Sequence, residues 1–137
     1  MRIASVIIRW FVRVAGFLQV VLGVLFWFGT AFRFIPLHMF LGMAIVVALW
    51  LVAGMALFAR VPWPRIVLAF LWGIAVVALG YTQVRILPGG AHWIVQVVHL
   101  LIGLGAIGQA DALAGAILDK WPVRAGVGVA SRPERSA

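Results

Sequence analysis

Four apolar stretches, each long enough to cross the hydrocarbon core of a bilayer as a helix, constrain this chain more than any other feature. They cover residues 8–33, 37–59, 65–87 and 91–118. A core of about 30 Å needs roughly 20 apolar residues per helix, and every stretch meets that length. The interruptions are Arg33 with Pro36, RVPWPR at 60–65, and RILPGG at 85–90. Proline removes a backbone donor and glycine admits unusual dihedrals, so both punctuate helices. Connections this short make consecutive helices antiparallel neighbours. The expected fold is all-α: an integral membrane, up-down-up-down four-helix bundle over residues 1–121, followed by a disordered basic tail at 122–137. Such helices satisfy their own backbone polar groups, as lipid requires.

Composition leads to the same solvent. Hydrophobic residues make up 66% of the chain and charged residues 10%, with a mean hydropathy of +1.18. A water-soluble domain is about half apolar and a quarter charged, so no water-facing shell can be built here. The first apolar stretch is too long for a cleaved leader, carries Arg9 and Arg13, and lacks a small-residue cleavage site; it is expected to be a retained helix.

Charge sets the expected orientation. Arg2, Arg9, Arg13, Arg60, Arg65, Lys120, Arg124, Arg132 and Arg135 fall on one side of the four spans, and only Arg33 and Arg85 on the other. The positive-inside rule then puts both termini in the cytoplasm of a bacterial cell, with the chain in the cytoplasmic membrane. The net charge of +8 is accounted for by topology and anionic headgroups rather than by nucleic acid, since no soluble surface displays a basic patch.

A short internal repeat marks the outer ends. TAFRFIP at 30–36 and TQVRILP at 82–88 share the pattern Thr-x-x-Arg-φ-φ-Pro, where φ is apolar. Each precedes a returning helix that carries His-x-x-x-Gly, first at His38 and Gly42, then at His99 and Gly103. The second copy holds nine extra residues between proline and histidine. If these add turns to the fourth helix, His99 comes level with His38 on diagonal helices of the bundle. Two imidazoles facing one another across the axis can ligate one haem iron from both sides. The glycine one turn further along each helix, Gly42 or Gly103, leaves room for a flat macrocycle, and Ala106 and Ala110 extend the clearing. Arg33 and Arg85 at the outer ends suit the haem propionates.

The structural alternative is that these are interfacial histidines, glycines that permit close helix packing, and arginines in contact with headgroups. Ionisable residues inside a span are costly, which favours a functional role for the matched pair.

On His38, His99, their order and their direction of travel, the chain resembles one half of a haem A synthase. That family joins two four-helix halves, each with a histidine on its second and fourth helices. The resemblance implies a haem-holding fold. The family's first half has a glutamate three residues before the second-helix histidine and an arginine after it. Here those positions are Ile35 and Met39, and the outer-loop cysteine pair of many members is missing. The oxidative chemistry is therefore not implied.

Other polar residues have simpler expectations. His92 and Gln96 share a face with His99 and are expected to be interfacial anchors. Asp111, the one acid well inside a span, is expected to pair with Arg13. The absence of cysteine excludes disulfides, thiolate metal sites and covalent c-type haem. No paired carboxylates are present for acid–base hydrolysis, and helix one has no embedded carboxylate of the kind a small exporter uses. The expected function is a membrane cytochrome b-like protein holding haem b. It would transfer one electron to or from quinol or a redox-partner protein, alone or as a subunit of a homo- or hetero-oligomer, rather than act as a stand-alone enzyme. The rival class is a non-catalytic membrane subunit or assembly factor with structural histidines.

Overall fold

A computed structural model describes residues 1–120; the expected tail at 122–137 lies outside the described residues. Four long helices account for most of the described chain: α1 Arg2–Trp27, α2 Ile35–Phe58, α3 Trp63–Thr82 and α4 His92–Lys120. Single 3-10 turns at Phe32–Phe34 and Gln83–Arg85 follow α1 and α3. All four helices are long and apolar enough to cross a membrane.

Local chemistry sets the helix ends. α1 stops at Trp27, short of the end of its apolar run, because Gly29 adopts φ +72°. The Thr30 amide donates to the Leu25 carbonyl and the Gly29 amide to the Phe26 carbonyl, the paired bonds of a Schellman cap. α2 ends the same way, with Val61 donating to Ala56 and Arg60 to Leu57. There the left-handed position is Arg60, at φ 53°, where an L side chain is strained. Pro36 and Pro64 fall in the first turns of α2 and α3, where the missing amide has no intrahelical partner to lose. That tolerance lets α3 begin at Trp63, inside the segment that reads as a break.

The interior is made of small residues. Ala53, Ala56, Ala110 and Ala114 are fully buried together with Val12, Leu49, Val52 and Ile117. The largest side chains point outward instead: Phe58 is 74% exposed and Phe40 70%. Lipid tails solvate such rings as well as a protein core does, so helix association relies on close approach rather than on hiding apolar surface. Gly105 shows the consequence. Trp72 of α3 lies against it, 2.6 Å from where a Cβ would stand, and its indole donates to the Ile102 carbonyl of α4 at 2.8 Å. α2 and α4 each pack against all the other helices, and α1 and α3 each pack against both of them. The helices bearing His38 and His99 therefore form the central pair.

A candidate two-histidine site

Both histidines fall on the buried stripes of the central helices. On α2, the stripe of Ile45, Leu49, Val52 and Ala56 extends back through Gly42 to His38. On α4, Val95, Ala106, Ala110 and Leu113 bracket His99 and Gly103. Helical spacing places residues three and four apart on one face, so each imidazole points where its neighbours point, toward the partner helix.

The nine-residue difference between the repeats has a structural counterpart. His38 lies in the first turn of α2, whereas α4 begins seven residues before His99. His92 opens that extension. Its amide donates to the Gly89 carbonyl, and its Nδ1 donates to the Ile86 carbonyl at 3.2 Å, tying the loop to the helix. His92 is thus turned back on the loop.

The rings of His38 and His99 lie with their centroids 6.3 Å apart and their planes inclined by 43°. Phe26 of α1 meets His38 edge-on at 5.3 Å and stacks on Phe32 at 6.3 Å. Two further glycines face the rings. A Cβ at Gly23 of α1 would stand 3.9 Å from His38 Cε1, and one at Gly80 of α3 would stand 3.8 Å from His99 Cε1. The shared motif does not reveal them, because Gly23 precedes its threonine by seven residues and Gly80 by two. They belong to the register between helices, which the linear repeat does not encode.

The glycines one turn beyond the histidines differ. Nothing lies within 4 Å of a Cβ built on Gly103. At Gly42 the space is taken by Gln19 of α1, whose Nε2 lies 2.8 Å from the Cβ position. Gln19 has no counterpart in the repeat, and its place before Gly42 follows from the packing of α1 against α2.

The polar accounting concentrates on this layer. Among the described residues, the buried side-chain nitrogen and oxygen atoms without a hydrogen-bond partner are His38 Nδ1, His99 Nδ1 and Gln19 Oε1. Buried polar groups are nearly always paired, so these three atoms stand out as polar groups that the described residues leave unsatisfied. The described residues contain no group of three or more His, Cys, Asp or Glu side chains placed to hold a metal ion. Two imidazoles alone do not enclose a bare ion. They do suffice as axial ligands for a metal that brings its own equatorial donors.

Arg33 and Arg85 lie in the two 3-10 turns at the same end, both exposed, with the Arg33 guanidinium 4.8 Å from the centre of the Phe34 ring. Thr30 and Thr82 of the repeat each donate a hydroxyl to a helix carbonyl, Leu25 at 2.8 Å and Ala78 at 2.7 Å. Far along α4, Asp111 accepts from two arginines of α1. Arg9 approaches at 3.0 and 3.2 Å, and Arg13 at 2.6 and 3.3 Å, each guanidinium spanning both carboxylate oxygens. The expected Arg13 pair is present, and Arg9 shares it.

No protein-family model, curated protein or solved structure matches the chain.

Proposed function

We propose that this chain is a membrane cytochrome b-like protein that holds one haem b between His38 and His99. The observation that carries the reading is the ring separation of 6.3 Å. A metal held at about 2 Å by each of two facing imidazole nitrogens puts the ring centres about 6 Å apart, which agrees with the separation of these rings. The open space before Gly103 supports the same fit.

A bound b-type haem supplies one-electron chemistry at its iron, tuned by axial ligands, burial and hydrogen bonds. The chain's residues do the rest. His38 and His99 would hold the haem through their ring nitrogens, with Phe26 packed edge-on against the His38 ring and Gly23 and Gly80 leaving the rings room. Arg33 and Arg85 offer cations to the two propionates at the membrane surface. Gly103 leaves room beside the His99 ring, while Gly42 makes room for Gln19. The helices run up-down-up-down in a bacterial cytoplasmic membrane with both termini inside, which puts the site in the outer leaflet. From there it exchanges single electrons with quinol or with a redox-partner protein.

A reduced-minus-oxidised spectrum of protein purified from haem-replete membranes tests this. Sharp α and β bands that disappear in His38→Ala and in His99→Ala are expected. A colourless, folded protein would return both histidines to a structural role and favour a non-catalytic subunit or assembly factor.

A further inference from the structure

A haem held through the Nε2 atoms leaves three buried polar atoms without partners, Gln19 Oε1 and the Nδ1 atoms of His38 and His99. Gln19 lies on the α1 stripe that continues through Gly23, which faces the His38 ring, and Phe26, which packs edge-on against it. Its amide fills the space before Gly42, one turn along α2 from His38. Gln19 and His38 therefore belong to the same α1–α2 seam, one helical turn apart. A ring whose Nε2 binds a metal carries its proton on Nδ1, so His38 then presents a donor and Gln19 Oε1 an acceptor, both buried and both without partners.

Resting on the two-histidine haem reading, we propose that Gln19 is the positioning residue for the His38 ligand: its amide oxygen accepts the Nδ1 proton, directly or through one bridging water. A buried polar group left unpaired is destabilising, and this pairing satisfies two of them together. Metal-bound histidines almost always donate their second ring nitrogen to an acceptor, which fixes the ring orientation and makes the ligand more basic. Gly42 acquires a reason from the same geometry. A Cβ there would displace the amide that His38 needs. His99 Nδ1 likewise has no hydrogen-bond partner among the described residues.

The sign of the effect follows. A more basic imidazole stabilises ferric over ferrous iron and lowers the midpoint potential; removing the acceptor raises it. The experiment compares wild type with Gln19→Leu and Gln19→Met, two apolar side chains of similar size, in detergent-purified holoprotein. Redox titration of the α band and low-temperature EPR of the ferric form are the readouts. Both variants are expected to keep a six-coordinate low-spin spectrum, shift the potential upward and shift the largest EPR g value. Potentials and g values equal to wild type in a haem-loaded variant would overturn the role of Gln19 and leave the haem reading standing. Loss of haem from both variants would overturn it as well, assigning Gln19 to folding alone. A colourless wild type would overturn both readings.

Discussion

His99 and Asp111 lie twelve residues apart on α4, about 18 Å along its axis, and each is the α4 partner in a polar contact with another helix. The His99 contact, with His38, contains unpaired ring nitrogens. At Asp111 every carboxylate oxygen is engaged by Arg9 and Arg13. One helix thus carries a fully satisfied clamp near one end and a conspicuously unsatisfied pair toward the other. The consequences of that difference can be measured.

Replacing both histidines by leucine is expected to stabilise the haem-free protein by about 1 kcal/mol or more, since it removes two buried orphan nitrogens. The same double variant should lose all haem absorbance. Thermal unfolding of haem-free samples checks the first point; haem-free wild type matching or exceeding the variant would contradict it.

Gly103 and Gly105 should behave oppositely, although they are two residues apart. An alanine at 105 meets the Trp72 indole and threatens its bond to the Ile102 carbonyl, so Gly105→Ala is expected to destabilise by about 1–3 kcal/mol. An alanine at 103 meets nothing, so Gly103→Ala should fold normally and yet load haem poorly. The haem-to-protein ratio and the midpoint of thermal unfolding separate the two effects.

Asp111→Asn leaves two guanidiniums facing a neutral amide. The arginines retain partial access to solvent, with side-chain exposures of 34% and 45%, which limits the loss. A destabilisation of about 1–2 kcal/mol is expected, with Arg13→Gln alone costing less because Arg9 remains paired. Unfolding curves that coincide for wild type and Asp111→Asn would show that the clamp contributes nothing.

Arg60→Gly should raise stability by about 0.5–1 kcal/mol, because glycine tolerates the left-handed position closing α2 without the penalty arginine bears. Gly29→Ala, at the matching cap of α1, should lower it by a similar amount. If Arg60→Gly destabilises instead, the arginine side chain has a compensating contact.

Much of the architecture was legible residue by residue. The four spans follow from hydropathy, and Pro36, Pro64 and the segment at 85–90 mark the connections closely. The ends were less so: Gly29, one glycine inside an apolar run, stops α1 where counting apolar residues carries it on to Arg33. The pairing of His38 with His99 was legible because repeat and direction of travel are sequence properties. The occupant of the space before Gly42 was not, because Gln19 comes from a different helix.

From the linear chain alone came four apolar helices, their breaks, a carboxylate in need of an arginine and two histidines on inward stripes. These are local properties: hydropathy, backbone dihedral preference and helical periodicity act over a few residues. Only the tertiary structure decided that the imidazoles stand 6.3 Å apart, that both arginines share Asp111, that Gly23 and Gly80 face the rings and that Gln19 fills the space before Gly42. Those facts depend on how far one helix slides and turns against the next. Interlocking of small and large side chains such as Gly105 with Trp72 sets that register, and no single segment contains it.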